Sequence, residues 1–195
     1  FNQRAVYDQI GFLHLLTKEI WNGHPCCSFG MSEAFIHENP NTFAALYRAV
    51  LNASAMAPDP ANLGTIAEAI STPNYLNQPE IVIRQALTGR YADGLGGIQD
   101  QPDRSGFEPM PWYGMATWML TQMKRWGYLK QEVDFKALAE EVFLMTDARR
   151  QMAELGMAEA EQEPLDGYPS FEIMGRTFDP HRADEYLQSL PLSRA

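Results

Sequence analysis

The stretch "NPNTFAALYRAVLNASAMA", residues 39–57, carries the clearest helical pattern of the chain. Its apolar residues recur at the spacing i, i+3, i+4, i+7 and i+8, at Phe43, Leu46, Tyr47, Val50 and Leu51. This spacing puts them on one face of a helix, and we expect that face to be buried. Asn41 is the predicted N-cap, because its side chain can accept a hydrogen bond from a free backbone amide.

Similar patterns on both sides of this helix predict a helix-rich chain. Further helices are predicted over residues 4–10, 18–21, 59–71, 78–87, 112–129, 134–157 and 182–190. Another is predicted to start near residue 33. The predicted N-caps are Ser32 for that helix, Asp59 for 59–71 and Asp134 for 134–157. Strands are predicted over 12–17 and 26–32, with a strand or hairpin over 170–179. Residues 88–111 are predicted to be a loop with one short strand. The fold class is therefore α/β, with few and short strands.

The totals exclude several classes of protein. The chain has 195 residues, 45% of them hydrophobic, and a formal net charge of −10. Such a surface repels nucleic acid and anionic membranes, so we expect neither as a partner. No apolar run approaches the ~18 residues of a membrane span, so no direct span is expected.

The stretch "NGHPCCSFGM", residues 22–31, contains both cysteines of the chain, Cys26 and Cys27, with His24 just before them. A zinc site needs about four ligands, and no second cluster follows. A disulfide between neighbours is strained, because a trans peptide holds their Cα atoms at about 3.8 Å. A cysteine nucleophile with a histidine base would need a third, orienting group. The simplest interpretation is two small side chains on a strand, one facing in and one out.

Two other stretches have structural interpretations. The glycines of "YADGLGG", residues 91–97, lack the Lys-Ser/Thr of a phosphate-binding loop, so we expect them to allow a turn or a close approach of the backbone to a ligand. The Trp and Met residues at helical spacing in 112–126 are typical of a core. The acidic residues of 158–163 are typical of a solvated face.

Several stretches in order resemble one family, the solute-binding proteins of ABC importers for nitrate and bicarbonate. They are "FNQRAVYDQIGF", "TKEIWNGHPCCSFGMSEAF", "NPNTFAALYRAVLNA", "YLNQP", "LTGRYADGLGG", "MATWMLTQMKRWG" and "FDPHRADEYLQSL". Each alone is weak, but the ordered set spans nearly the whole chain. The resemblance is to the C-terminal half of such proteins, so we expect the fold to be incomplete at the N-terminus.

The resemblance implies a type II periplasmic-binding fold, in which two α/β lobes joined by a hinge close over a small ligand. Residues 1–157 would supply parts of both lobes, 158–169 a linker, and 170–195 a C-terminal tail packed on a lobe. It implies a non-catalytic protein without a cofactor that captures a small oxyanion in the periplasm. That protein would deliver the anion to an ABC permease in the membrane.

The same resemblance gives the cysteines a role. Nitrate binders of this family tend to carry His-Pro-Glu-Lys where this chain has His24-Pro25-Cys26-Cys27, and the lysine adds positive charge to the anion site. Here the lysine position is Cys27, a neutral thiol, which leaves the identity of the anion open. His24, Cys26 and Cys27 are therefore the candidate ligand-binding residues, with Cys27 as the position that sets selectivity.

Two other functions remain open at this point. One is a cytoplasmic sensor or regulatory domain of the same fold, for instance at the end of a transporter ATPase. The other is a thiamine-precursor-type enzyme of related fold, to which the sequence contributes only the adjacent cysteines near His24. A low-pKa cysteine would favour the enzyme.

Overall fold

The computed structural model of the protein describes residues 2–191, which form two compact units. Unit 1 contains residues 2–23 and 31–108, and unit 2 contains residues 24–30 and 109–191. No helix within residues 2–191 has the length and the apolar character needed to cross a membrane.

The centre of unit 1 is a helix that packs against three other elements of the unit. Its helices are α1 (Asn2–Tyr7), α2 (Glu33–Glu38), α3 (Pro40–Met56), α4 (Pro60–Ser71) and α5 (Glu80–Thr88), with strands β1 (Arg90–Ala92) and β2 (Ile98–Asp100) and a 3-10 turn at Thr17–Glu19. Helix α5 packs against α1, α4 and β1. Val82 and Ile83 of α5 are buried together with Ala67 of α4 and Tyr91 of β1, and this is the core of the unit.

The predicted helix caps are largely confirmed. The Ser32 hydroxyl accepts a hydrogen bond from the amide of Phe35 at 3.2 Å, and the Asp59 carboxylate accepts one from Ala61 at 2.9 Å. The prediction of Asn41 as the cap of α3 is wrong. The helix begins at Pro40, whose fixed φ suits the first helical position, so Asn41 already lies inside the first turn.

Helix α3 itself is confirmed, but the burial of its apolar face is not. Only Leu51 is fully buried, at 1% exposure, while Leu46 is 40% exposed and Val50 is half-buried. The short helix α2 packs against α3. The expectation of a buried stripe was therefore wrong for most of its length.

The strands predicted over 12–17 and 26–32 are absent. Residues 11–16 and 24–32 have no regular secondary structure, and Phe12 and Phe29 are 56% and 50% exposed. A strand exists only beside another strand that accepts its hydrogen bonds. The described residues offer these segments no such neighbour.

The segment 88–111 contains two strands where one was predicted. β1 and β2 pair in an antiparallel hairpin, with Tyr91 opposite Gln99. Gly89 precedes it at φ +71°, and a Cβ there would lie within van der Waals overlap of the carbonyl oxygen of Gln101. Glycine is therefore required at the point where helix α5 turns into the hairpin.

Unit 2 is built around helix α6 (Tyr113–Arg125). Its other elements are α7 (Phe135–Val142), α8 (Met145–Glu154), α9 (Ala183–Gln188), strands β3 (Phe171–Ile173) and β4 (Arg176–Phe178), and 3-10 turns at Ala158–Glu161 and Pro180–Arg182. Helix α6 packs against α7, α9 and the second 3-10 turn. The predicted helices over 134–157, the cap Asp134, the hairpin over 170–179 and the last short helix are confirmed.

The predicted division of the chain at 157 and 169 stays a prediction. Within 158–169, Ala160, Gly167 and Tyr168 are buried in unit 2, and Arg149 donates hydrogen bonds to the carbonyl oxygens of Ala160 and Gln162 at 2.8 and 2.9 Å. Of the predicted tail 170–195, residues 192–195 lie outside the described residues.

Candidate functional site

The cysteine segment, residues 24–30, is an exposed stretch between the 3-10 turn and helix α2. Both cysteines are free and exposed, and His24 is half-buried and engaged in interactions of its own. The Sγ atoms of Cys26 and Cys27 lie 3.9 Å apart, in hydrogen-bonding contact. The expectation of one cysteine facing in and one out is therefore wrong. Without a strand there is no alternation to separate the side chains, and the two sulfurs lie side by side.

The electrostatics of this pair do not favour a nucleophile. The pKa of Cys26 is raised above its ordinary value, chiefly by the hydrogen bond with Cys27 and then by partial burial. Reactive cysteines instead have a lowered pKa, because the thiolate is the attacking species. Nor is the segment a preformed metal centre. Within residues 2–191 no three His, Cys, Asp or Glu side chains are placed to hold an ion together.

The glycine loop of residues 93–97 borders a cleft of about 470 Å³ in unit 1, which is also lined by Val6 and Gln9 of the α1 end. The backbone amides of Leu95 and Gly97 donate to the Asp93 carboxylate at 2.7 and 3.0 Å. These bonds, together with one from the Gln99 side chain, lower the pKa of Asp93. Because a carboxylate of the loop itself already occupies these amides, they are not free to bind an external anion.

At this loop the backbone approaches another segment of the chain, and the expected close approach to a ligand stays a prediction. The amide of Leu13 donates to the carbonyl oxygen of Asp93 at 2.8 Å. A Cβ on Gly94, at φ +90°, would lie 2.8 Å from the carbonyl oxygen of Gly11 and from the Cα of Phe12. The glycine therefore allows residues 11–13 to lie against the loop.

A second cleft of about 470 Å³ lies in unit 2, at the starts of α7 and α9. Its wall carries two carboxylates, from Asp134 and Asp184, beside Lys136 and His181. The Tyr168 hydroxyl donates to Glu140 at 2.9 Å, and burial and this carboxylate raise the pKa of Tyr168 well above its ordinary value. The mixed charge of this wall does not favour an anion.

Sequence reasoning did not single out Arg104, a half-buried cation of unit 1. Its guanidinium lies 4.0 Å from the centre of the Tyr91 ring and donates to the Gln3 side chain at 2.8 Å. No carboxylate of residues 2–191 forms an ion pair with it, and burial lowers its pKa. The neutral amide of Gln3 and the aromatic ring replace a counter-ion, so this arginine ties residues 101–106 to α1.

The structure thus brings Cys26 and Cys27 together, while neither of them nor His24 lines either cleft. The two clefts lie in different units, and each is bounded by residues of its own unit. The role of His24, Cys26 and Cys27 in binding an anion stays a prediction.

Comparisons with known proteins identify relatives over the whole chain. The profile of the NMT1-like family matches residues 1–71. The nitrate/nitrite binding protein NrtA of Nostoc is 28% identical over 100% of this chain and 46% of its own length. The bicarbonate transport ATP-binding protein CmpC of Synechococcus elongatus is 30% identical over 100% of this chain and 29% of its own length.

The structural comparison agrees. The crystal structure of the periplasmic nitrate-binding protein NrtA from Synechocystis matches with a TM-score of 0.81 and 27% identity, over 97% of this chain and 51% of that one. The predicted fold class, helix-rich and like the periplasmic binding proteins, is thereby confirmed. The chain spans about half the length of the nitrate-binding relatives that it matches. It is similar in sequence to the NrtA proteins and has their fold over that part of their length.

Proposed function

We propose that this protein is part of the substrate-binding component of an ABC importer for a small oxyanion of the nitrate, nitrite and bicarbonate class. The observation that carries the proposal is the structural match to a periplasmic nitrate-binding protein at 27% identity over 97% of the chain. That degree of sequence identity accompanies the shared fold, so the inference does not rest on fold alone.

The proposed role is non-catalytic. The NrtA relatives are named as binding proteins, and the pKa of Cys26 is shifted in the direction opposite to that of an activated nucleophile. The protein would capture the anion in the periplasm and deliver it to a membrane permease. Both steps need recognition of the anion and none needs a bond to be broken.

The uptake of labelled anions tests this role in the cell. Deleting the gene should abolish most uptake of one anion among nitrate, nitrite and bicarbonate at micromolar supply, and the wild-type gene should restore it. Uptake of phosphate serves as the control, because an unrelated importer carries it. Unchanged uptake of all three anions in the deletion strain would contradict the proposal.

A second candidate is a regulatory domain of the same fold at the end of a transporter ATPase. The observation that favours it is the match to CmpC, a protein named as ATP-binding, at 30% identity over the whole chain. Fractionation of cells and the mass of the native polypeptide on an immunoblot separate the two candidates. Release of the protein by osmotic shock supports the importer component. A cytoplasmic polypeptide long enough to carry an ATPase domain as well supports the regulatory domain.

We also propose that Cys27 faces the bound anion, at the position where the family resemblance implies a lysine in nitrate binders. An added positive charge about 4 Å from an anion contributes about 4 kcal/mol at an effective dielectric near 20, before desolvation is subtracted. One third of that value is a change of about tenfold in affinity. The exposure of Cys27 makes the proposal testable by substitution, since a lysine there meets no steric obstacle from a core.

The substitution Cys27→Lys tests this position in the complete protein encoded by the gene. We expect nitrate to bind about tenfold more tightly to this variant, measured by calorimetry. Cys27→Gln is the matched control, because it adds length without charge, and its affinity should equal that of the wild type. Equal affinities for the lysine and glutamine variants, with both variants folded, would show that Cys27 does not face the anion.

A further inference from the structure

The adjacent sulfurs of Cys26 and Cys27 have a property that anion binding does not use. Both thiols are free and exposed, and their Sγ atoms lie 3.9 Å apart on the same side of the segment. No helix or strand fixes residues 24–32, and Gly23 and Gly30 flank the pair. A reagent can therefore reach both sulfurs at once without disrupting regular structure.

The geometry of the pair does not favour a disulfide between the two cysteines. A trans peptide holds the two Cα atoms about 3.8 Å apart, below the range of about 4.4–6.8 Å in which disulfides close without strain. The pair therefore tends to persist as a dithiol. A single atom bonded to both sulfurs avoids this strain, because it lets the two sulfurs stay farther apart than in an S–S bond. The observed separation of the two sulfurs, 3.9 Å, is well above the ~2.0 Å of an S–S bond and leaves room for one bridging atom.

The number of ligands then decides which bridging atom fits. Zinc needs about four protein ligands in a structural site. Within residues 2–191 no group of three or more His, Cys, Asp or Glu side chains could hold an ion. The site thus offers two soft sulfur ligands, which favours a thiophilic centre that needs only two bonds from the protein.

We propose that Cys26 and Cys27 form a dithiol site that binds trivalent arsenicals. With a reagent of the form R–As=O, the two S–H bonds break and two As–S bonds form. The two protons leave with the arsenic oxygen as water. Arsenic stays trivalent and neither sulfur is oxidised, so the step needs no oxidant or reductant.

Two sulfurs on one chain bind more tightly than one because the second bond is formed within the same molecule. The effective concentration of the second thiol replaces its concentration in solution, which strengthens binding by about a hundredfold or more. An arsenical bound by a single cysteine is therefore displaced by excess monothiol. One bound by both cysteines is displaced only by a competing dithiol.

Phenylarsine oxide is the probe for this site, applied to the complete protein encoded by the gene in the presence of millimolar monothiol. We expect one equivalent to bind to the wild type, detected by mass spectrometry of the native protein, and to be released by dimercaptopropanol. Cys26→Ser and Cys27→Ser should each weaken binding by about a hundredfold. Ser28→Ala is the matched control, since it alters the same exposed segment, keeps both thiols and should bind like the wild type.

The serine variants should keep the fold, because both cysteines are exposed. As a control, their circular dichroism spectra and melting temperatures should equal those of the wild type. The proposal is overturned if either single serine variant retains wild-type affinity. It is equally overturned if monothiol alone releases the probe from the wild type. Zinc in the same assay should not bind stoichiometrically, because two thiolates do not complete its coordination.

Discussion

Helix α3 has 17 residues and buries one of them, Leu51, whereas helix α6 has 13 residues and buries seven. Both helices carry apolar residues at helical spacing. Helix α6 packs against α7, α9 and the 3-10 turn at Pro180–Arg182, all of which follow it in the chain, whereas α3 packs against the six-residue helix α2. Spacing thus determines which side of a helix is apolar, and the neighbouring elements determine whether that side is buried.

The largest expected effect on stability comes from a charge placed at a buried position of α6. Leu120 is 9% exposed, so Leu120→Asp places a carboxylate among apolar side chains without a partner. We expect the free energy of unfolding to fall by about 4 kcal/mol or more. Met123 in the same helix is 40% exposed, and Met123→Asp should cost less than about 1 kcal/mol, because its carboxylate remains in water. Similar melting temperatures for the two variants would show that α6 is not the core of its unit.

Within α3, two leucines separate the buried from the exposed part of the apolar face. Leu51→Ala should cost about 2–4 kcal/mol, because it removes a fully buried side chain and leaves a cavity. Leu46→Ala should cost less than about 1 kcal/mol, because Leu46 is 40% exposed. Urea denaturation of the two variants measures the difference. Equal losses of stability would mean that Leu46 is covered in solution and that the contrast with α6 is smaller than the structure indicates.

A smaller difference in stability is expected between substitutions at the N-caps of α3 and the following helix α4. Asp59 accepts a hydrogen bond from the amide of Ala61, so Asp59→Ala should destabilise the protein by about 1 kcal/mol. Asn39 occupies the equivalent position before α3 but forms no capping hydrogen bond, so Asn39→Ala should change stability by only a few tenths of a kcal/mol. Thermal melts of both variants test this. A loss for Asn39→Ala as large as that for Asp59→Ala would mean that Asn39 also caps its helix.

Features that depend on a few neighbouring residues were predictable from the sequence. The caps Ser32, Asp59 and Asp134 need only a side-chain oxygen and the next amides, and the hairpin β3–β4 needs only a short turn. The strand over 12–17 was predicted wrongly because a strand also needs a partner, and an apolar pattern does not supply one. Phe12, Leu13 and Leu15 are apolar, yet Phe12 is 56% exposed.

The candidate site shows the same limit. The sequence identified the cysteine pair, but the expectation that its side chains point in opposite directions depended on a strand that does not form. The 3.9 Å contact between the two sulfurs depends on the backbone of residues 24–32, which no local pattern specifies. Arg104 was missed for a related reason. Its partners, Gln3 and Tyr91, are both uncharged, and Gln3 is also distant from Arg104 in the sequence. No charge pattern therefore marks this interaction in the sequence.

Isothermal titration calorimetry of the complete gene product tests the central claim, that this protein belongs to an oxyanion-binding component, most directly. Nitrate, nitrite and bicarbonate are titrated in turn, with chloride as the control anion and a thermal melt to show that the protein is folded. We predict saturable binding with a stoichiometry near one for at least one of the three oxyanions and none for chloride. Heats no larger than those of dilution for all three, from folded protein, would contradict the claim.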